Sequence, residues 1–517
     1  MTASVLFLAL LAQHAHHSAS QEKPVQLLSG MGKHTRSIAT DNADAQKFFD
    51  QGLNLLYGFN RHEAWRSFAK AAELDPKNPM PKWGLAMARG PYINMDLDGS
   101  SDIKYYCETL SGVPGSWAKV ASSRCPDGSD DRYISAMKDF VASNPDDLDA
   151  ATFYAEALMI PVRWQWFSKD GVAAKGTDEA IAVLEGVLRR NPDHPGANHL
   201  YIHAVESSPT PERAIPSAQR LMGLVPNSGH LVHMPGHIWL VVGDYETSAN
   251  TNDRAAELDR RYFEETNVQG AYQMYYAHNV HFIAASRQMQ GRKADTLKAA
   301  LELEKIAAPF AAAMPDMADP FVPYRWFMLE RFQQWDDILA IPKPDAKLLT
   351  SNALWHWARA LALHGKGKSP IAEVKAFEAA AKAVPADRGW MNSKASTILE
   401  IASKVLQARL VADPARAAAL LKQAAAAQDQ LAYDEPPEWY FPTRESWGAA
   451  LLRAGQPAEA EQVFRAGLKQ SARNGRLLFG LWHSLKAQNK AEAASMVERE
   501  YREAWRRADV ELSLDSM

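Results

Sequence analysis

Histidine is the residue type in this sequence whose spacing points most directly to chemistry. HLYIH carries His199 and His203, HMPGH carries His233 and His237, and each residue of the second pair follows its counterpart by 34 residues. A third block, His278 and His281, repeats the spacing of His230 and His233 after 48 residues, which is 34 plus a 14-residue insertion. Seven of the sixteen histidines fall within an 83-residue stretch, where an even spread would place between two and three. Imidazole without thiolate suits copper first, then zinc or iron, whereas magnesium and calcium prefer oxygen. Cys107 and Cys125 are the only cysteines, so cysteine-based zinc or iron-sulfur ligation is excluded.

Seven imidazoles are too many for one ion with an open position, which takes three protein ligands. Two ions, or one ion with substrate-binding histidines beside it, are the natural options. A ligand set dominated by neutral histidine looks like that of coupled dicopper sites, while dizinc hydrolases add carboxylates. Glu206 and Glu156 are the candidates for that role, acting as base toward a metal-activated water. The rival readings are imidazoles packed in a core, hydrogen-bond donors in a peptide-binding scaffold, or a metal store lacking an open position. His62, His194, His356, His364 and His483 have no partner in register and are read as background.

The intervals within the histidine blocks are i, i+3, i+4 and i+7, which put side chains on one face of a helix. One window of 34 residues opens at Pro195 and the next at Gly229, with Pro192 and Pro226 ending the preceding helices. Upstream, NPDDLDAATFYAEAL matches NPDHPGANHLYIHAV at a shift of 47, placing Thr152 opposite His199 and Glu156 opposite His203. Pro235 breaks the pattern. It either kinks a helix next to His233 or starts a new one, in which case HLVH forms the preceding turn and His230 need not share a face with His237. Met234, Tyr272, Tyr275 and Tyr276 read as packing, and Asn198 and Asn279 as candidates to orient an imidazole.

Gly52, Ala64, Phe68, Ala71 and Pro76 fall at the intervals of a helix pair with a small residue, Ala, Phe, Ala and a closing Pro. Trp447, Gly448, Gly455, Ala460 and Phe464 repeat them. Most of the chain thereby resembles the tetratricopeptide repeat family. NHLYIHAVE, GHLVHMPGHI and HNVHF further resemble a group of bacterial tetratricopeptide proteins, a likeness that implies a fold and no chemistry. The resemblance implies an all-α, right-handed superhelical solenoid of TPR-like helix hairpins with insertions. It also implies that the first helix of each pair lines a concave groove, where a small-molecule or peptide substrate would bind.

The expected organisation is a signal peptide over 1–20, helices over 21–92, an irregular insert with Cys107 and Cys125 over 93–135, central repeats with the histidines over 136–306, and further repeats over 307–517. Val5 to Ala12 and the small residues Ser18 to Ser20 carry the export reading, periplasmic or secreted, and the two cysteines either pair or remain separate thiols. At 517 residues, 47% hydrophobic and 23% charged, the chain can bury a large core. A net charge of −4 offers no basic field for nucleic acid. No stretch is long and apolar enough for a transmembrane helix. The expected function is an exported metalloprotein, an enzyme with redox chemistry favoured over hydrolysis.

Overall fold

The computed structural model describes residues 22–94, 101–268, 270 and 272–517. The expected signal peptide over 1–20 lies outside them. The chain is all-α: sequence-adjacent helices pack against each other along its length, as TPR-like hairpins do. Among the described residues, paired strand is confined to the two-residue ribbon Gly389–Trp390 with Ser393–Lys394 and a bridge between Phe167 and Ala173. No helix among them is long and apolar enough to cross a membrane.

The chain forms two compact units, 1–238 with 251–279, and 239–250 with 280–517. The same packing device recurs in each. In the first unit, a Cβ on Gly52 would sit 2.7 Å from the Phe68 ring and one on Gly84 2.5 Å from it. Only glycine lets neighbouring helices close on that ring. In the second unit, Gly448 and Gly480 flank Phe464 in the same way, at 2.4 and 2.1 Å, with the same 16-residue steps along the chain. The second unit also holds a buried ion pair between Arg331 and Glu445, at 2.9 and 3.1 Å, and an aromatic core of Phe327, Trp357 and Trp439.

The segment expected to be irregular, 93–135, is largely helical where it is described: Ile103–Leu110, Ser116–Ala121 and the start of Asp130–Ser143. Asp102 and Ser129 cap the first and last of these by accepting backbone N–H bonds. Their Gly- and Ser-rich flanks supplied the turns that made the stretch read as loop. Cys107 and Cys125 are joined in a disulfide, with Cα atoms 5.7 Å apart.

The helices that matter for chemistry are α1 (Leu148–Met159), α2 (Pro195–Glu206), α3 (Gly229–His233) and α4 (Pro235–Val241). The 47-residue correspondence is structural: Asp147 caps α1 by accepting from Ala150, and His194, at the matching place, caps α2 by accepting from Ala197. Pro235 begins a new helix, the second of the two expectations. Its missing N–H falls where a first-turn donor would be unpaired anyway. Met234 between α3 and α4 keeps helical torsions, so the chain turns without unwinding.

Candidate metal centre

Within the first unit, α2, α3, α4 and the start of the helix Gln273–Met289 bring six imidazoles together. They fall into two sets. His199, His203 and His230 each offer a ring nitrogen within 4.8 Å of the others, and so do His233, His237 and His278. In the first set, ring centroids lie 4.9 Å apart for His199 and His203 and 5.0 Å for His199 and His230. In the second they lie 4.7 Å apart for His233 and His237 and 4.8 Å for His233 and His278. The sets adjoin, with His203 5.6 Å from His237 and His230 5.6 Å from His233. His199 and His233 are fully buried, and His203, His230 and His237 nearly so. These five rings therefore do not line an open groove, as the repeat resemblance had implied, while His278 is half-buried.

Hydrogen bonding decides which nitrogen each ring presents. His199 donates from Nδ1 to the Tyr57 carbonyl at 2.6 Å, and His203 from Nδ1 to Glu206 Oε1 at 3.1 Å. With Nδ1 carrying the proton, Nε2 of each ring is a lone pair. Neither Nε2 has a hydrogen-bond partner among the described residues, and neither nitrogen of His230 has one. Buried polar atoms are rarely left so. Three such acceptors converging in one place are what a bound cation would satisfy, and a hydrogen-bond acceptor on the far nitrogen is the usual setting of a ligating histidine.

In the second set His233 donates from Nδ1 to Asn252 Oδ1 at 2.6 Å. His237 Nδ1 stands 2.8 Å from Glu206 Oε2. With the His233 proton on Nδ1, its Nε2 is an acceptor, and His237 Nε2 lies 2.8 Å from it, the distance at which a proton is shared between the two rings. A cation in the second set would take the place of that proton.

Burial, and then the neighbouring His203, push the His199 pKa well below its ordinary value; burial and His199 do the same at His230, and burial and His237 at His233. Burial also lowers His203, against the opposing pull of Glu206. These rings are neutral at pH 7, the form that binds metal. Burial would raise the Glu206 carboxyl, but His237 and His203 outweigh it and hold it below the usual carboxylate range.

The remaining candidates fall elsewhere. His281 belongs to none of these sets: it lies in the second unit with its ring 4.4 Å from Tyr324. Glu156 shares no set with a histidine; burial raises its pKa and the charges of Arg61 and Arg124 oppose that. Glu206 faces the Nδ1 sides of two imidazoles, which makes it an orienting carboxylate. Asn198 donates to the Pro192 and His194 carbonyls, and Asn279 to Asp259, so their amide N–H groups orient no imidazole. The residues that do so, Asn252 and the Tyr57 backbone, stand outside the histidine register. Phe59, 4.4 Å from His199, and Tyr275, 4.6 Å from His230, close the first set with aromatic surface.

A third group in the first unit, His34, Asp149 and His194, has metal-like composition and opens on a cavity of about 1140 Å³. Its carboxylate and the imidazole nitrogens that face it are already hydrogen-bonded to one another. His194 Nδ1 accepts from the Ala197 N–H at 3.1 Å, so its proton is on Nε2, which donates to Asp149 Oδ1 at 3.2 Å. The same oxygen accepts from His34 at 2.8 Å and Tyr57 at 2.6 Å, and Arg36 donates to Oδ2 at 3.0 Å. This is a carboxylate hub with its acceptor sites filled.

No family model matches the chain, and no curated protein sequence matches it. Among solved structures it is similar to the human IFIT1 dimer with m7Gppp-AAAA, at 13% identity and TM-score 0.31, covering 90% of this chain and 91% of that one. It is also similar to yeast Tom70, at 12% identity and TM-score 0.31, covering 89% and 90%.

Proposed function

We propose that the six clustered imidazoles hold transition-metal ions, one ion per three-histidine set, in an exported protein whose chemistry is redox. The observation that carries this is the convergence of partnerless buried nitrogens on His199, His203 and His230. An all-imidazole set favours copper, then zinc or iron. Bound there, copper or iron would supply one-electron chemistry and a position for a small ligand. Redox chemistry is favoured over hydrolysis because Glu206 is committed to holding His203 and His237 and is not placed as a base beside their Nε2 atoms. Burial of the five rings other than His278 limits what reaches them to small molecules and electrons, which disfavours a peptide contacting those histidines directly. The Cys107–Cys125 bond supports the reading of an oxidising compartment, periplasmic or extracellular.

The test is metal analysis of the full chain purified without an affinity tag, with His203→Ala and His237→Ala beside it. Stoichiometric copper, zinc or iron in the parent, lost from the set that carries each substitution, supports the reading. Equal metal content in all three proteins contradicts it.

A further inference from the structure

Electrons exchanged with the first set, whose three rings are all buried, need a route, and one aromatic pair provides it. Trp166 is 1% exposed, with its ring 6.0 Å from His203. Trp164 lies 5.4 Å from Trp166 and 5.9 Å from His203, and it is only half-buried. Both sit on a stretch between α1 and the helix Thr177–Arg190 that departs from the repeat. Trp164 is held there at φ +64°, in the left-handed region that a bulky side chain rarely adopts. The other aromatic neighbours of the first set, Phe59, Tyr275 and Tyr92, are all buried.

We propose that Trp166 and Trp164 form an electron relay between the histidine-held metal and the protein surface, with Trp164 as the point of exchange; this rests on the metal reading above. With copper or iron held there, one hydrogen peroxide would take two electrons and two protons to give two waters. Each electron would be made good through His203, from Trp164 directly at 5.9 Å or by way of Trp166 at 6.0 Å. A Trp166 radical cation keeps its Nε1 proton, because that N–H donates to the Met159 backbone carbonyl at 3.1 Å and a carbonyl is too weak a base to take it. A one-electron donor outside refills Trp164. Indole is the aromatic side chain that most readily loses an electron while keeping its proton, and ring contact makes each hop short.

The experiment uses the full chain loaded with copper, hydrogen peroxide as oxidant, and ferrocyanide as a donor too large and too charged to reach buried rings. The parent forms ferricyanide. Trp164→Phe, at unchanged copper content, slows that formation by about tenfold or more, since raising a barrier by only ~1.4 kcal/mol already has that effect and phenylalanine is much harder to oxidise; Trp166→Phe, which leaves the Trp164–His203 contact, slows it less. Without ferrocyanide, peptide mass analysis finds oxygen added to Trp164 in the parent and to His203 or His199 in Trp164→Phe. Zinc-loaded protein, with no accessible redox state, shows neither result. Should Trp166→Phe fail to fold, the half-buried Trp164→Phe carries the test alone. Parent-like ferricyanide formation and oxidation pattern in copper-replete Trp164→Phe overturn the relay and leave the metal site standing. A parent chain that takes up no copper, zinc or iron overturns the metal reading and the relay with it.

Discussion

Two histidine groups in the same unit differ in one respect that separates a metal site from a structural hub. Around Asp149, His34 and His194 donate their ring protons to a carboxylate, and His194 accepts a backbone N–H on its other nitrogen. Around His199, His203 and His230, the protons on His199 and His203 point away from the cluster and the inward nitrogens have no partner. Proximity of imidazoles is common to both. What distinguishes them is where each ring's proton is fixed by its far-side partner, which is a question of hydrogen-bond accounting.

The largest difference expected between the groups is in metal content. His203→Ala removes the ion of its set, whereas His194→Ala leaves metal at the parent level; elemental analysis of the two proteins checks this, and loss of metal from His194→Ala would merge the groups again. The second difference is in stability without metal. Asp149→Ala leaves Arg36 facing only Asp147 and strips His34 and Tyr57 of their common acceptor, and breaking such a buried pair costs about 3–5 kcal/mol. Denaturant unfolding of the metal-free protein measures it, and a change within error would show the hub to be decorative.

The third concerns pH. The pKa values of His199, His230 and His233 are depressed in the folded chain, so between their ordinary value of 6.5 and their folded values the unfolded chain binds more protons. Metal-free protein therefore loses stability as pH falls below 6.5, by about 1.4 kcal/mol per pH unit for each proton taken up on unfolding. Bound metal blocks those protons, and loaded protein holds its stability further down. The contribution of Asp149 follows a different window. Burial would raise its pKa, but hydrogen bonds from His194 and His34 keep it well below 3.8, so its stabilisation is present above 3.8 and lost only as pH falls through the folded value. Identical pH profiles with and without metal would contradict this assignment. The smallest effect is at Asn252, whose Oδ1 fixes the His233 ring: Asn252→Ala weakens metal binding by about tenfold to a hundredfold in a chelator competition, as loss of such a partner typically does.

Much of this was legible in the sequence, for a definite reason. A repeat copies a helix face, so a spacing of 34 residues carries His199 and His203 to His233 and His237. The reading failed where position along a helix was taken for direction. His281 follows His278 by three residues, as His233 follows His230, yet its ring packs on Tyr324 in the second unit. His194 was read as background because its partners, His34 and Asp149, come from distant stretches of chain. Asn252, the Tyr57 carbonyl and Trp166 were equally hidden: they reach the imidazoles through tertiary packing, which leaves no periodic trace. The burial of the rings was missed because the repeat resemblance implies an open groove.

The most direct test of the two-set account is X-ray absorption at the metal edge of the loaded protein. The account predicts three imidazole nitrogens around each ion at ~2.0 to 2.1 Å and a matching loss of imidazole scattering in His230→Ala. A shell of oxygen scatterers alone, unchanged by that substitution, would contradict it.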